Sequence, residues 1–247
     1  MTNKLVPAAL AVLTICAAPA SAQDAAGFVS LFDGKDLAGW KVPPGDNGHW
    51  KVVDGVIDID AESESKAEDK SLWTEREFGD FVLRVDWRIK ETPYTNPNVH
   101  IVKPDGTSKR DAQGKPILIA VPDSDSGIYL RGSSKAQVNI WCWPVGSGEV
   151  YGYRTDESMP AAVRAAVTPK KLADHDIGQW NTFEITMKGS RLSVLLNGER
   201  VIENAELPGV AARGPVALQH HGSKKDGRWV SPPALVQFRN IEIKDLK

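Results

Sequence analysis

From Phe81 to Ile89 the side chains alternate: Phe81, Leu83, Val85, Trp87 and Ile89 on one side, Val82, Arg84, Asp86 and Arg88 on the other. A period of two puts successive residues on opposite faces, so this segment predicts a strand buried on one face. Phe183, Ile185 and Met187 against Thr182, Glu184, Thr186 and Lys188 repeat the pattern. Leu192 to Leu196, then Asn197-Gly198, then Arg200 to Ile202 read as a tight antiparallel hairpin, because Asn-Gly accepts the positive φ angles of a type I′ turn. Shorter strands are expected at 29–32, 50–53, 56–60, 72–74, 117–121, 127–131, 137–143, 216–220 and 236–244. In the last of these Val236 and Phe238 change phase to Ile241 and Ile243, which a bulge at Arg239-Asn240 would accommodate. Helical periodicity is confined to Pro160–Val167, with Ser158 as its candidate cap. Tyr94 to Lys115, polar and punctuated by proline and glycine, reads as a long surface loop. Many short strands and one short decorating helix predict an all-β sandwich or jelly roll.

The N-terminus breaks this pattern. Lys4 precedes an apolar run from Leu5 to Ala18 and then Ala20-Ser21-Ala22, the layout of a secretory leader over residues 1–22. The run is too short for a membrane helix, which needs about 20 apolar residues. The expectation is an exported chain, periplasmic or secreted, whose residues 23–247 form one domain. Of the two cysteines only Cys142 follows the leader, so no disulfide is expected within the mature chain. A net charge of −2 without Lys/Arg runs provides no field for a polyanion, which argues against nucleic acid as a partner.

Candidate chemistry lies on the polar faces of the predicted strands. In Gln137–Trp143, Val138, Ile140 and Cys142 share one face, while Gln137, Asn139, Trp141 and Trp143 share the other. Amides that donate and accept, beside flat aromatic rings, suit a sugar. In Ser126–Arg131, Ile128 and Leu130 point inward while Gly127, Tyr129 and Arg131 point away, which makes Arg131 a candidate oxygen clamp or a surface ion pair. Alternation from Val216 puts Gln219 and His221 on the polar side, and His221 is the histidine best suited to proton transfer. Asp123-Ser124-Asp125-Ser126-Gly127 has the opening of a calcium loop but lacks its closing Glu, so an EF-hand is excluded. No histidine pair has the His-Glu-x-x-His spacing of a metal site, and no metal ligands are assigned; a looser divalent-metal site on these carboxylates stays open. There is no Gly-x-Ser-x-Gly elbow, Walker loop or dinucleotide fingerprint. Asp86, Asp125 and Glu149 are the acids available for glycoside chemistry.

Several motifs in register then resemble one family. Gly27–Gly34 with Leu37 and Gly39-Trp40, Leu72–Glu75, Phe78–Phe81, Ser126–Arg131, Gly178–Asn181, Leu196–Gly198, Gly214–Val216 with Leu218-Gln219, and Val236–Ile241 follow the order of the 3-keto-disaccharide hydrolases, or 3-keto-glucoside 1,2-lyases. The resemblance spans nearly all of residues 23–247 and implies a concanavalin A-like jelly roll. It also implies cleavage of glycosides whose sugar a partner dehydrogenase has oxidised at C3: abstraction of the C2 proton, elimination of the C1 aglycone and hydration of the 2-hydroxyglycal. On this chain it implies His221 as base or acid, Asp125 or Glu149 as its counterpart, and Arg131, Gln137, Asn139, Trp141, Trp143, Tyr151 and Gln219 around the sugar. Many relatives have Glu-Val-Gln where this chain has Gln137-Val138-Asn139, an amide in place of a carboxylate. A lectin-like module that binds carbohydrate without cleaving it therefore stands as the alternative.

Overall fold

The computed structural model describes residues 26–247, so the predicted leader and Cys16 lie outside the described residues. In chain order the strands are β1 (Val29–Ser30), β2 (Trp40–Lys41), β3 (Trp50–Val53), β4 (Val56–Ile59), β5 (Leu72–Phe78), β6 (Phe81–Ile89), β7 (Tyr94–His100), β8 (Leu118–Asp123), β9 (Ser126–Leu130) and β10 (Ser133–Ile140). Two short helices, α1 (Tyr151–Arg154) and α2 (Ala161–Ala166), precede β11 (Asn181–Lys188), β12 (Arg191–Leu196), β13 (Glu199–Glu206), β14 (Gly214–Leu218), β15 (Ser223–Lys225), β16 (Arg228–Ser231) and β17 (Val236–Asp245). An eight-stranded sheet runs β13-β12-β11-β6-β17-β4-β3 with β1 added to β17, and a five-stranded sheet runs β10-β9-β14-β5-β2. Two-stranded ribbons, β7-β8 and β15-β16, complete the jelly-roll sandwich.

The period-two pattern places the core. In β6 the apolar positions are all buried and the intervening ones half-buried, and the strand is flanked by β11 and β17. Its side chains join those of β9, β10 and β14 from the other sheet in one apolar cluster. The outer face of the large sheet carries the polar partners instead, with Arg84 donating to Glu184 and Arg88 to Gln237. The pairing of β17 with β6 shifts between Arg239 and Glu242, and Asn240 takes a φ of 49°, so the expected bulge is present.

The β12–β13 turn forms as expected, with Asn197 at φ 54° and Gly198 at φ 80°. Because a side chain in that region costs about 1–3 kcal/mol, Gly198→Val is expected to lower the urea midpoint by a stability loss of that size. Asn197 does more than turn the chain: its Nδ2 donates to the Ala173 carbonyl and to Asn181 Oδ1.

Three expectations need correction. Tyr94–Lys115 is not wholly loop: its first third is β7, paired antiparallel with β8, and bridges at Val102–Ser108 and Arg110–Pro116 extend the ribbon as an arm. Alternation is poor in β7 because only Val99 is buried, so periodicity gave no signal. The second short helix, α1, is a single turn and too brief to show a period. Finally, α2 starts after Pro160 without a side-chain cap, and Ser158 instead donates to Asp156. Among the described residues no helix is long and apolar enough to cross a membrane.

Candidate functional site

Strand β9 is buried on both faces. Ile128 and Leu130 enter the core, while Tyr129 faces the other way. Neighbouring strands set Gln137 and Ala217 opposite Tyr129, and the chain leaving β14 brings Gln219, His220 and His221 to the same side. Tyr129, Gln219, His220 and His221 line a recess of about 630 Å³ together with Asp69 and Lys70. Trp73 closes one flank, with its ring centroid 5.6 Å from that of Tyr129 and its Nε1 donating to Asp69.

At the edge of the recess Gln219 belongs to an amide pair fixed by the sheet. Gln137 Nε2 donates to Gln219 Oε1 at 2.5 Å and to the Ser126 carbonyl at 3.1 Å. The pair needs Gly127 beneath it: a Cβ there would lie 2.5 Å from Gln137 Nε2. The Gln219 backbone is held as well, its N–H donating to the Gly127 carbonyl and its own carbonyl accepting from Ser126 Oγ.

Asp125 and His221 are fastened to one stretch of chain. Asp125 N–H donates to the Pro233 carbonyl, and His221 accepts at its own carbonyl from Ala234 N–H. His221 Nδ1 lies 2.6 Å from the Pro232 carbonyl. A carbonyl only accepts, so Nδ1 carries the proton and the lone pair of the neutral ring is on Nε2. Asp125 Oδ1 is sealed from solvent without a hydrogen-bond partner. Burial pushes its carboxyl up to about 7, against the attraction of His221 and with the help of the Asp123 charge. A carboxylic acid poised near neutrality beside an oriented imidazole can give and take protons. Burial lowers the pKa of His220 below its ordinary value.

The remaining predicted residues do not join this group. Arg131 is a correction: its side chain is 1% exposed and donates to the carbonyls of Gly79, Gly189 and Ala211 and to Asp80. It is a strut, because β9 ends at Leu130 and Arg131 turns at φ 50° into the interior instead of continuing the alternation. Glu149 is fully buried and its charge is taken up by an ion pair with Arg154. Asn139 is 3% exposed; its backbone is bonded to Gly148 and Glu149 and its Oδ1 is unpartnered. Trp141 and Trp143 lie beyond the end of β10 and stack on each other at 4.2 Å, with Tyr151 edge-on to both. Trp141 donates to the Gly146 carbonyl and Trp143 to Asp123, and the two rings line a separate apolar cavity of about 290 Å³ with Trp87 and Asp174. Sequence reasoning missed Asp69, Lys70 and Trp73: the first two lie in an irregular segment, and Trp73 could be placed on a strand but not on a face. Among the described residues no three His, Cys, Asp or Glu side chains cluster as a metal site would require.

A family model for the 3-keto-alpha-glucoside-1,2-lyase-like domain matches residues 27–244. The chain belongs to this family. No curated protein matches the chain. Two solved structures from Parabacteroides distasonis ATCC 8503, each provisionally assigned as a glycosyl hydrolase, share the fold of this lyase-like domain. One is 21% identical, covers 90% of this chain and 84% of its own, and has a TM-score of 0.54. The other is 20% identical, covers 90% of this chain and 95% of its own, also with a TM-score of 0.54. Membership of the lyase-like family supports a carbohydrate-active function.

Proposed function

We propose that this lyase-like domain cleaves 3-keto-glucosides by elimination and then hydrates the product, with His221 and Asp125 as its proton-transfer pair. The observation that carries the reading is this pair: His221 lines the recess with Gln219 and Tyr129, and Asp125, outside that lining, is anchored with it on residues 232–234. A ketone at C3 acidifies the C2 hydrogen. His221 Nε2 takes that proton, the C2 electron pair delocalises onto the C3 oxygen as an enediolate, and the C1–O bond to the aglycone breaks. Asp125, protonated because its carboxyl sits near neutrality, delivers a proton to the leaving oxygen. Water then adds across the C1–C2 double bond, oxygen to C1 and hydrogen to C2, giving the free 3-keto sugar. The Gln137–Gln219 pair offers amide groups to the sugar hydroxyls, and Trp73 with Tyr129 offers an aromatic wall to its C–H face. Arg131, Glu149 and Asn139 take no part in this reading. The enzyme acts outside the cytoplasm, after its leader is removed, on the product of a sugar 3-dehydrogenase.

One observation favours binding without cleavage: Gln137 and Gln219 satisfy each other, so this position holds a closed amide pair and no carboxylate. The two readings separate in one experiment. Aglycone release is followed from a 3-keto-glucoside and its unoxidised parent in deuterium oxide, with and without a chelator. Cleavage of the keto substrate alone, with deuterium at C2 of the product, is the expected result, and chelator sensitivity reports any metal requirement. Equal cleavage of both substrates, or release without label at C2, overturns the elimination; binding without cleavage selects the lectin-like reading.

A further inference from the structure

Next to Tyr151 a cavity of about 670 Å³ opens between the β7–β8 arm and the two helices. Its lining includes His100, Arg110, Tyr151, Arg154 and Arg164, with exposed Glu157 as its one carboxylate. The Arg154 side chain is 6% exposed, and among the described residues its guanidinium hydrogen-bonds only through Nε, to Glu149. Among the described residues its terminal nitrogens donate no hydrogen bond, and the guanidinium lies over the Tyr151 ring, 5.3 Å from its centroid. Arg164 forms no ion pair among the described residues, and its Nε is sealed from solvent without an acceptor. Arg110 spends one N–H on the Gly114 carbonyl and likewise has no carboxylate. Even with Glu149 and Glu157 counted, one guanidinium has no counter-charge.

Guanidinium groups that outnumber their carboxylates in a partly desolvated cavity are unfavourable unless an anion offsets them. The groups register this field. Burial and the neighbouring Arg164 lower Arg154 to about 10, and burial, Arg154 and Arg110 lower His100. The cavity is also built rather than incidental. Gly106 at the arm tip packs so closely on α2 that a Cβ would lie 2.7 Å from the Arg164 carbonyl oxygen, and Lys170 ties the Pro104 and Ala165 carbonyls together. His100 is oriented by Ser108 Oγ at 2.8 Å and stacks on Trp143.

We propose that this cavity binds the oxyanion of a small acidic solute, a carboxylate, sulfate or phosphate, between the guanidinium groups of Arg154, Arg164 and Arg110. Planar guanidinium forks match such oxyanions. The site is separate from the recess that His221 lines and shares no lining residue with it.

Isothermal titration of the full chain with glucuronate, inorganic sulfate, inorganic phosphate and neutral glucose tests the assignment. Saturable binding of at least one anion and none of glucose is expected, weakened at least ten-fold by Arg164→Gln and by Arg110→Gln. Preference for glucuronate identifies an acid carried on a sugar, and preference for sulfate or phosphate a free inorganic anion. On the unmodified protein, NMR titration of His100 is expected to show its pKa rising when the anion is saturating, because a bound anion offsets the arginine field. Absence of anion binding, unchanged affinity in both variants, or an unmoved His100 overturns the proposal.

Discussion

Asp125→Asn will remove turnover of 3-keto-glucosides, by about 10²- to 10⁴-fold in kcat, the usual range for losing a positioned general acid. The amide keeps the size of the side chain but carries no transferable proton, so substrate affinity is expected to change far less than kcat. The pH profile supplies an independent reading. A carboxyl raised to about 7 is protonated below that value, so an acid role predicts that kcat/KM falls as pH rises through about 7. That limb should disappear from the residual activity of the variant. In stability the variant should gain where in activity it loses. The folded value lies above the unfolded 3.8, so between about pH 4 and 7 the native chain holds a proton that the unfolded chain has released. Stability is therefore greatest below the unfolded value and declines as pH rises to the folded one. Asp125→Asn escapes that decline and is expected to be more stable than the parent at pH 8 in urea titrations. A variant with full activity, or one less stable at pH 8, would remove Asp125 from the role of buried acid.

Arg131→Met should cost about 3–5 kcal/mol, the range for breaking a buried charged pair by deleting one partner. The methionine fills much of the volume but leaves the Gly79, Gly189 and Ala211 carbonyls without the donors that now satisfy them. Asp80 loses its guanidinium partner and keeps the Gly189 N–H. Because Asp80 is half-exposed, Asp80→Asn should cost clearly less than Arg131→Met. Urea unfolding of the two variants measures this order. A loss below about 1 kcal/mol for Arg131→Met, accompanied by a large rise in KM, would return Arg131 to the substrate.

Arg131 and Asp125 show where reading the chain succeeds and where it stops. The strands of the sandwich were legible wherever one face is core and the other is not, because burial then writes a period of two: Trp50–Val53 and Phe81–Ile89 form with the predicted bounds. The Asn197-Gly198 turn and the β17 bulge were legible because backbone geometry restricts which residues and phases they accept. Strand β7 was not, since an arm outside the core has no apolar face to mark it. Gln137, Gln219 and His221 could be placed on a polar face by alternation, and the structure brings Gln137 and Gln219 into contact. The same rule misplaced Arg131, Trp141 and Trp143, because alternation holds only while the strand continues and theirs has already ended.

What the sequence determined by itself is the part of the protein set by local rules: which segments are strands, which face of each is buried, and which side chains therefore remain for chemistry. The tertiary structure alone decided which of those side chains meet. Asp125 and His221 are far apart in the chain and come together because both bond to residues 232–234. Glu149 is a counter-ion to Arg154 rather than an acid at the recess. Such pairings depend on how two sheets stack and where loops dock, which are sums over contacts distant in sequence, and no local pattern of residues encodes them.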